Sequence, residues 1–455
     1  MKLSYVPLSV FREADNLPMF DRCRAYAALN RINVLYMVKR AGSGHLGSSF
    51  SAIDIMTWLY LYGLGPDDVF FSSKGHDCPA LYATLISVGR LPFELLHSLR
   101  VLGGLPGHPV AGFSPDIPFS VGSLGQGISK AKGMILANRL LGKKGRVFVM
   151  VGDGELQEGQ NWEALRTAYE YPELQIIIDS NGMQSDNKTL SNPLIGLPRE
   201  FNGHSFQEID RSLSERTFSG LVEADTVKGK GVSFMEQLGD DGLYHFHSGA
   251  PSDEDYERAL DELLPVAYKL VPSLTLESTV VKSFKKRPNS LIVAYSQALL
   301  EAGKDKRVVV LDADLMVDCG LKPFRDAYPD RFFECGIAEQ DMVSMAGAMA
   351  RQGFIPFVHS FAAFLTRRAT DQIYNNCCEG DKVIYVGSLA GPLGKTGPGK
   401  SHEALFDGLT MLRMPGMKVC EPEEPVVIEF LVDFAVNKAT GPVYIRLLAS
   451  GGVMQ

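Results

Sequence analysis

The residues best placed to do chemistry are Gly152-Asp153-Gly154 and Asn181, with 26 residues between Gly154 and Asn181. A carboxylate and an amide oxygen make a partial shell of hard ligands. Such a shell suits Mg²⁺, or in its place Ca²⁺ or Mn²⁺, taking further ligands from phosphate oxygens and water. Glycines on both sides of Asp153 let the backbone approach a phosphate closely. Taken alone, Gly-Asp-Gly also reads as an ordinary turn.

Four of the nine histidines stand beside glycine or in serine-glycine loops. They are His45 in Ser43-Gly44-His45-Leu46-Gly47, His76 in Lys74-Gly75-His76, His108 in Pro106-Gly107-His108-Pro109, and His247 in His245-Phe246-His247-Ser248-Gly249. Small neighbours let imidazoles crowd around one ligand, and imidazole donates to hydroxyl and diphosphate oxygens near neutral pH. A single loop histidine is usually a surface residue; four in like company point to a shared site. In the second half, Glu339 follows a strand-like run and opens an apolar helix, a place that also suits a carboxylate meeting the helix dipole. Phe361 and Phe364 lie one helical turn apart and either present ring faces to one ligand or pack in a core.

The elements that must hold these residues are readable from hydrophobic pattern. Arg146 to Val151 and Gln175 to Asp179 read as buried strands with a helical stretch between them, so Asp153 and Asn181 fall just past two strand ends. In an open α/β sheet that edge binds ligands. Residues 20–39 and Ser51 to Tyr62 read as helices, and Leu221 to Lys228 as a further strand closed by Gly229-Lys230-Gly231. Pro265, Pro272 and Pro288 bracket a segment rich in Ser, Thr and Lys that reads as a linker. Beyond it, Arg307 to Asp312, Asp381 to Gly387 and Val443 to Leu447 read as parallel strands, with helices at Gln340 to Arg351 and Ala363 to Asn376. The expected fold class is α/β, in two domains that are each a mainly parallel sheet flanked by helices: 1–270, a linker 271–288, and 289–455.

Size and composition bound the function. A chain of 455 residues exceeds one core and predicts two domains. A net charge of −8 without a basic, aromatic-interleaved stripe argues against a nucleic-acid partner. The run Lys282 to Arg287 reads as a solvated linker edge. No apolar run reaches the roughly 18 residues of a membrane span, and the N-terminus lacks a signal-peptide pattern, so no membrane partner and a cytoplasmic location are expected. Seven cysteines without Cys-x-x-Cys spacing fit a reducing compartment and no zinc site, and Cys377-Cys378 reads as helix packing.

The Gly152 to Asn181 spacing, the following Gly182-Met183, the histidine loops and Cys335-Gly336-Ile337-Ala338-Glu339-Gln340 together resemble the transketolase family, over nearly the whole chain. The resemblance implies a diphosphate-binding domain, then a pyrimidine-binding domain, with thiamine diphosphate and a divalent cation as cofactors. It implies that Asp153, Asn181 and Met183 hold the metal, and that His76 and His247 contact the diphosphate, with His245 a rival to His247. His45 and His108 would hold the reacting carbonyl and hydroxyls of the sugar. Val121 to Gly127 also matches and would line the cofactor cleft, with Gly152 and Gly154 beside it and Leu124 as an apolar support. Glu339 would bond a pyrimidine nitrogen and promote the tautomer that activates the cofactor, and Phe361 and Phe364 would form the pyrimidine pocket. His402 joins the catalytic set. Glu158 and Glu163 match acidic positions that couple two sites across a homodimer, in which Asp153 of one copy and Glu339 of the other serve one cofactor; as single residues they also read as surface helix charge. The chain ends at Gln455 without matching the family's third domain, which is expected to be absent or supplied by a separate chain.

The implied activity is transfer of a two-carbon ketol unit from a ketose to an aldehyde or other carbonyl acceptor, within carbohydrate metabolism. The sugar-phosphate grip departs from the family pattern. Leu291 to Ser296 has no arginine where the family commonly has one, Asp318 stands where a serine is usual, Ser388 replaces a histidine, and no arginine follows Arg446 at the later site. An aspartate there would repel phosphate. The loop Gly394 to His402 has two extra residues, and Thr396 stands in place of an aspartate; Lys395 and Lys400 either form another anion site or are exposed loop lysines. The expected substrates are therefore non-standard, such as a modified sugar. The alternatives are a thiamine-diphosphate enzyme that passes the unit to a carrier or decarboxylates a keto acid, and a non-catalytic subunit of a split transketolase.

Overall fold

The computed structural model of the protein describes residues 1–190, 199–214, 220–281, 289–393 and 397–449. The chain divides into two compact units, Met1–Phe284 and Lys285–Gln455.

Strands of the first unit are β1 (Lys2–Tyr5), β2 (Val69–Ser72), β3 (Val147–Gly152), β4 (Leu174–Ser180), β5 (Arg199–Asn202), β6 (Leu221–Asp225) and β7 (Glu277–Val280). Among the described residues, five of them form a parallel sheet ordered β2-β3-β4-β6-β5. Every residue of β3 is buried. A strand covered on both faces reads as a continuous apolar run, and its alternation shows only in which core each side chain joins. Phe148, Met150 and Ile177 enter one core with the helices Met19–Ala41, Leu46–Trp58, Cys78–Ser87 and Asp253–Leu270. Val147, Val149, Val151, Ile176 and Ile178 enter the other, against the helix Gly127–Leu140. Each such buried aliphatic side chain contributes about 1.5–3 kcal/mol relative to exposure. The two cores fix the register Gly152↔Asp179, which sets Asp153 and Asn181 side by side at the carboxyl edge of the sheet.

Three expectations are corrected. The helix expected from Ser51 starts at Leu46, directly after His45, and ends at Trp58 with a π-helical turn, Leu59–Gly63, beyond it. The described part of the segment expected as a linker, up to Val281, is structured: Pro265 lies inside Asp253–Leu270, held there by buried Tyr256, Ala259, Leu260, Leu263 and Ala267. β7 pairs antiparallel with β1, and the Met1 ammonium donates to the Val281 carbonyl at 3.0 Å. Every residue of β7 is exposed or half-buried, so it carries no apolar pattern to reveal it. Residues 282–288, with the Lys282 to Arg287 run, lie outside the described residues.

The second unit has strands β8 (Val308–Asp312), β9 (Phe332–Glu334), β10 (Ile355–Phe361), β11 (Ile384–Ala390), β12 (Lys418–Cys420) and β13 (Val443–Leu448). They form a parallel sheet ordered β12-β13-β11-β10-β8-β9. Glu339 opens the helix Glu339–Arg351 after β9. The helix expected over Ala363 to Asn376 is two, Ala362–Arg368 and Thr370–Cys378, parted at Ala369. That break leaves Arg367 and Arg368 at a helix end, where side chains reach sideways.

Candidate active site

In the first unit, Asp153 is 5% exposed and its carboxylate is held by backbone N–H groups: Gly154 donates to Oδ1 at 2.8 Å, while Asn181 and Gly182 donate to Oδ2 at 3.0 and 2.6 Å. Asn181 Oδ1 in turn accepts from the Met183 N–H at 3.2 Å. Burial first, and then the charge of Asp179, push the Asp153 carboxyl up to about 6. Asp179 differs because Lys74 pairs with it, and Ser51 and Thr226 donate to it. Among the described residues no group of three or more His, Cys, Asp or Glu could hold a metal ion. The donor set therefore does not fit an all-protein cage, but one buried carboxylate held by backbone N–H groups, beside one amide, fits a divalent cation that completes its shell with phosphate oxygens and water.

The four histidine loops converge. The His45 ring lies 5.7 Å from His76, 5.5 Å from His108 and 5.4 Å from His247, and His76 lies 5.2 Å from His247. Glycine makes the approach possible: Gly75 has φ +72°, and a Cβ there would sit 2.7 Å from the Gly122 nitrogen. A Cβ at Gly125 would likewise meet Glu158 at 2.8 Å. Burial holds His76 and His247 well below the ordinary histidine value; the other's charge and Lys74 add to this at His76, Lys228 and His45 at His247. Neutral imidazoles retain one donor and one acceptor each. His245, the rival, is exposed and bonds Asp241 at 2.9 Å. Leu124 is half-buried; Glu158 is buried, and Glu163 is exposed.

Sequence reasoning missed Lys228, which is 4% exposed. Its Nζ donates to the Gln184 carbonyl, lies 3.2 Å from His247 Nδ1 and stands 5.0 Å over the Tyr244 ring. Gln184 is buried beside it and accepts from Gln157 at 2.8 Å. The sequence signal was Lys228 itself, directly before the Gly229-Lys230-Gly231 turn.

In the second unit, Glu339 is 2% exposed, and Arg368 Nη1 donates to its Oε1 and Oε2 at 3.0 and 3.2 Å. The Arg368 guanidinium also stands 5.2 Å from the Phe364 ring centre. Phe361 and Phe364 are 5.9 Å apart, and the His402 ring lies 4.9 Å from Phe364 and 6.1 Å from Phe361. Arg367 donates to the carbonyls of Ser401 and Glu403, so it ties the same helix to the His402 loop. Glu339, Phe361, Phe364 and His402 are thus brought together, through two consecutive arginines that sequence reasoning did not single out.

Of the expected departures, Asp318 is exposed and Ser388 is buried. Arg446 has its guanidinium occupied by Asp407 at 2.8 and 2.9 Å, Glu421 at 2.6 Å and the Ala404 carbonyl at 2.9 Å. Lys400 is exposed, and Lys395 and Thr396 lie outside the described residues. No helix among the described residues is long and apolar enough to cross a membrane.

Residues 290–450 match the family model for the transketolase pyrimidine-binding domain, and residues 19–221 match that for 1-deoxy-D-xylulose-5-phosphate synthase. Over 461 aligned positions the chain is 32% identical to a transketolase of Pongo abelii, covering 90% of this chain and 71% of that protein. The chain belongs to the transketolase family. Another family relative, a 1-deoxy-D-xylulose-5-phosphate synthase of Treponema pallidum, is 28% identical over 94% of this chain and 72% of its own. The solved transketolase from Leishmania mexicana is similar at 20% identity, covering 94% of this chain and 77% of that one with a TM-score of 0.47.

Proposed function

We propose that this member of the transketolase family is a thiamine-diphosphate- and divalent-cation-dependent transferase that moves a two-carbon ketol unit from a ketose donor to an aldehyde or other carbonyl acceptor. The observation that carries the reading is the convergence of three histidine rings on His45, with His76, His108 and His247 at 5.4–5.7 Å from it and His76 at 5.2 Å from His247, in the unit whose sheet edge holds Asp153. When bound, thiamine diphosphate supplies a carbon nucleophile that accepts the two-carbon unit and releases it.

The chain's own residues bind, orient and move protons. Asp153, Asn181 and the Met183 carbonyl hold the cation against the diphosphate. His76, His247 and Lys228 face the diphosphate oxygens, and Leu124 supports the cofactor from an apolar side. His45 and His108 donate to the substrate oxygen on which charge develops, which lowers the barrier where neutral donors are already in place. Glu339 accepts and returns a proton at a pyrimidine nitrogen, Phe361 and Phe364 flank the ring, and His402 serves the substrate end. The first unit is assigned to the diphosphate and the second to the pyrimidine, with a homodimer in which Asp153 of one copy and Glu339 of the other share one cofactor, coupled through Glu158 and Glu163.

Specificity is proposed to fall outside simple sugar phosphates. The Arg446 guanidinium is engaged by Asp407 and Glu421 instead of standing open to a phosphate, and the aspartate at position 318 would repel one. A second reading keeps the cofactor and changes the reaction, to decarboxylation of a keto-acid donor or passage of the unit to a carrier; it is kept because residues 19–221 match the 1-deoxy-D-xylulose-5-phosphate synthase model. Product analysis with phosphorylated ketoses, unphosphorylated ketoses and a keto acid as donors, each against aldehyde acceptors, separates them. Turnover of xylulose and ribose phosphates at ordinary transketolase rates would overturn the specificity claim, and release of carbon dioxide from the keto acid would favour the second reading.

A further inference from the structure

A second buried charged network in the first unit touches the site only through backbone. Asp54, in the helix Leu46–Trp58, is 5% exposed and receives Arg31 Nη1 at 2.9 Å and Nη2 at 2.7 Å. Its Oδ2 also lies 2.7 Å from His204 Nδ1. The other ring nitrogen, Nε2, lies 2.9 Å from the Val227 N–H. A backbone N–H can only donate, so His204 Nε2 is the acceptor and the ring proton sits on Nδ1, pointing at Asp54. Burial would raise the Asp54 carboxyl, but Arg31 and His204 outweigh it and hold it well below the usual carboxylate range.

The same network reaches the far side of the turn. Arg31 Nε donates to the Lys230 carbonyl at 2.9 Å. Val227 is thus gripped by its N–H and Lys230 by its C=O, and between them the Gly229 N–H donates to the Gly47 carbonyl at 2.9 Å. Gly203 lets the His204 loop close on this turn, since a Cβ there would sit 2.4 Å from Thr226 Cγ2. What the gripped turn presents is Lys228, buried against His247. A lysine stem is flexible and its ammonium is strongly hydrated, so burying it beside an imidazole requires that its backbone be prevented from swinging out.

We infer that Arg31, Asp54 and His204 form a positioning clamp that holds Lys228 beside His247, on the anion side of the cofactor site. The inference rests on the cofactor reading above for what Lys228 meets, but the clamp itself is testable without cofactor. His204 touches no substrate; it acts through the Val227 amide.

The test uses the full chain with His204→Phe, His204→Gln, Lys228→Met and the double variant His204→Phe/Lys228→Met. Amide hydrogen exchange over residues 226–231 is measured in the cofactor-free protein, and thiamine diphosphate affinity is measured by calorimetry with Mg²⁺. In His204→Phe, exchange at Val227 to Gly229 should rise by about tenfold or more and affinity should fall by about tenfold, the scale of one lost hydrogen bond to a buried group. Glutamine can accept from Val227 and donate to Asp54, so His204→Gln should restore both. Lys228→Met should lose affinity without faster exchange, and the double variant should bind no worse than Lys228→Met alone. Unchanged exchange in His204→Phe, or affinity losses that multiply in the double variant, would overturn the clamp. Faster exchange in His204→Phe with no cofactor binding by the parent protein would support the clamp and contradict the cofactor reading.

Discussion

Arg368 and Glu339 are 29 residues apart in sequence, and the arginine donates to both oxygens of a carboxylate that is 2% exposed. Arg368 itself packs over Phe364, so the glutamate, the cation and the aromatic pair form one assembly. A carboxylate so buried is tolerated because the guanidinium and its hydrogen bonds replace water. Glu339 is thereby fixed in direction before any ligand arrives.

Removing the guanidinium should leave a buried charge uncompensated. Arg368→Gln is expected to lower unfolding free energy by about 3–5 kcal/mol, the range for breaking a buried pair. Arg368→Gln/Glu339→Gln should recover a large part of that loss. Urea denaturation of the two single variants and the double variant checks this, and strictly additive losses would show that the two residues are not coupled.

The crossing of the His76 loop and the Gly122 backbone depends on Gly75. Gly75→Ala places a Cβ 2.7 Å from the Gly122 nitrogen and 3.0 Å from the Gly122 Cα at φ +72°, and both of these neighbours are backbone atoms. The conformational term alone costs about 1–2 kcal/mol, and the contact adds to it. The variant should have a lower Tm and weaker cofactor binding than Gly89→Ala, whose Cβ would meet nothing within 4 Å at a similar φ of +77°. Equal losses in the two variants would show that the loop contact is unimportant.

Acid should destabilise the fold through buried neutral histidines. Burial pushes His359 down to about 3, and its ring bonds Tyr295 at 2.6 Å and faces the Leu311 carbonyl at 3.2 Å. The unfolded chain takes up this proton near the ordinary value of about 6.5, and the native state does so only near 3. Stability from His359 is therefore present above about 6.5 and lost as pH falls towards 3, at about 1.4 kcal/mol per pH unit. His76 and His247 add slopes of the same sign. Denaturation at several pH values should show a shallower acid slope for His359→Gln than for the parent, and an unchanged slope would contradict the assignment.

The cation prediction concerns Asp153. Mg²⁺ with thiamine diphosphate, each at a hundredfold its Kd, should stabilise the parent protein by about 2.7 kcal/mol for each ligand bound to the native state alone. Chelation of Mg²⁺ should remove that gain. Asp153→Ala should show no Mg²⁺-dependent rise in Tm, and a rise equal to that of the parent would place the cation elsewhere.

Much of this arrangement was legible in the sequence, for identifiable reasons. β3 and β4 stood out because a strand buried on both faces must be apolar throughout, and the motif glycines stood out because a close approach of loops needs them. The histidines were visible by their company. Arg368 and Lys228 were not, because a lone charge acquires meaning only from a tertiary partner: Glu339 and the Gln184 carbonyl lie 29 and 44 residues away. β7 was hidden because its own four residues, Glu-Ser-Thr-Val, carry no hydrophobic alternation, and the break at Ala369 was hidden because both helices continue one pattern of buried positions.

The central claim is that the family fold here carries thiamine-diphosphate chemistry through Glu339. The most direct measurement is calorimetric titration of parent and Glu339→Ala with thiamine diphosphate and Mg²⁺, followed by donor turnover for each. The account predicts saturable binding by the parent, and turnover reduced by about 10²-fold or more in the variant, the scale of a lost acid–base group. No binding by the parent, or equal turnover by the two proteins, would contradict it.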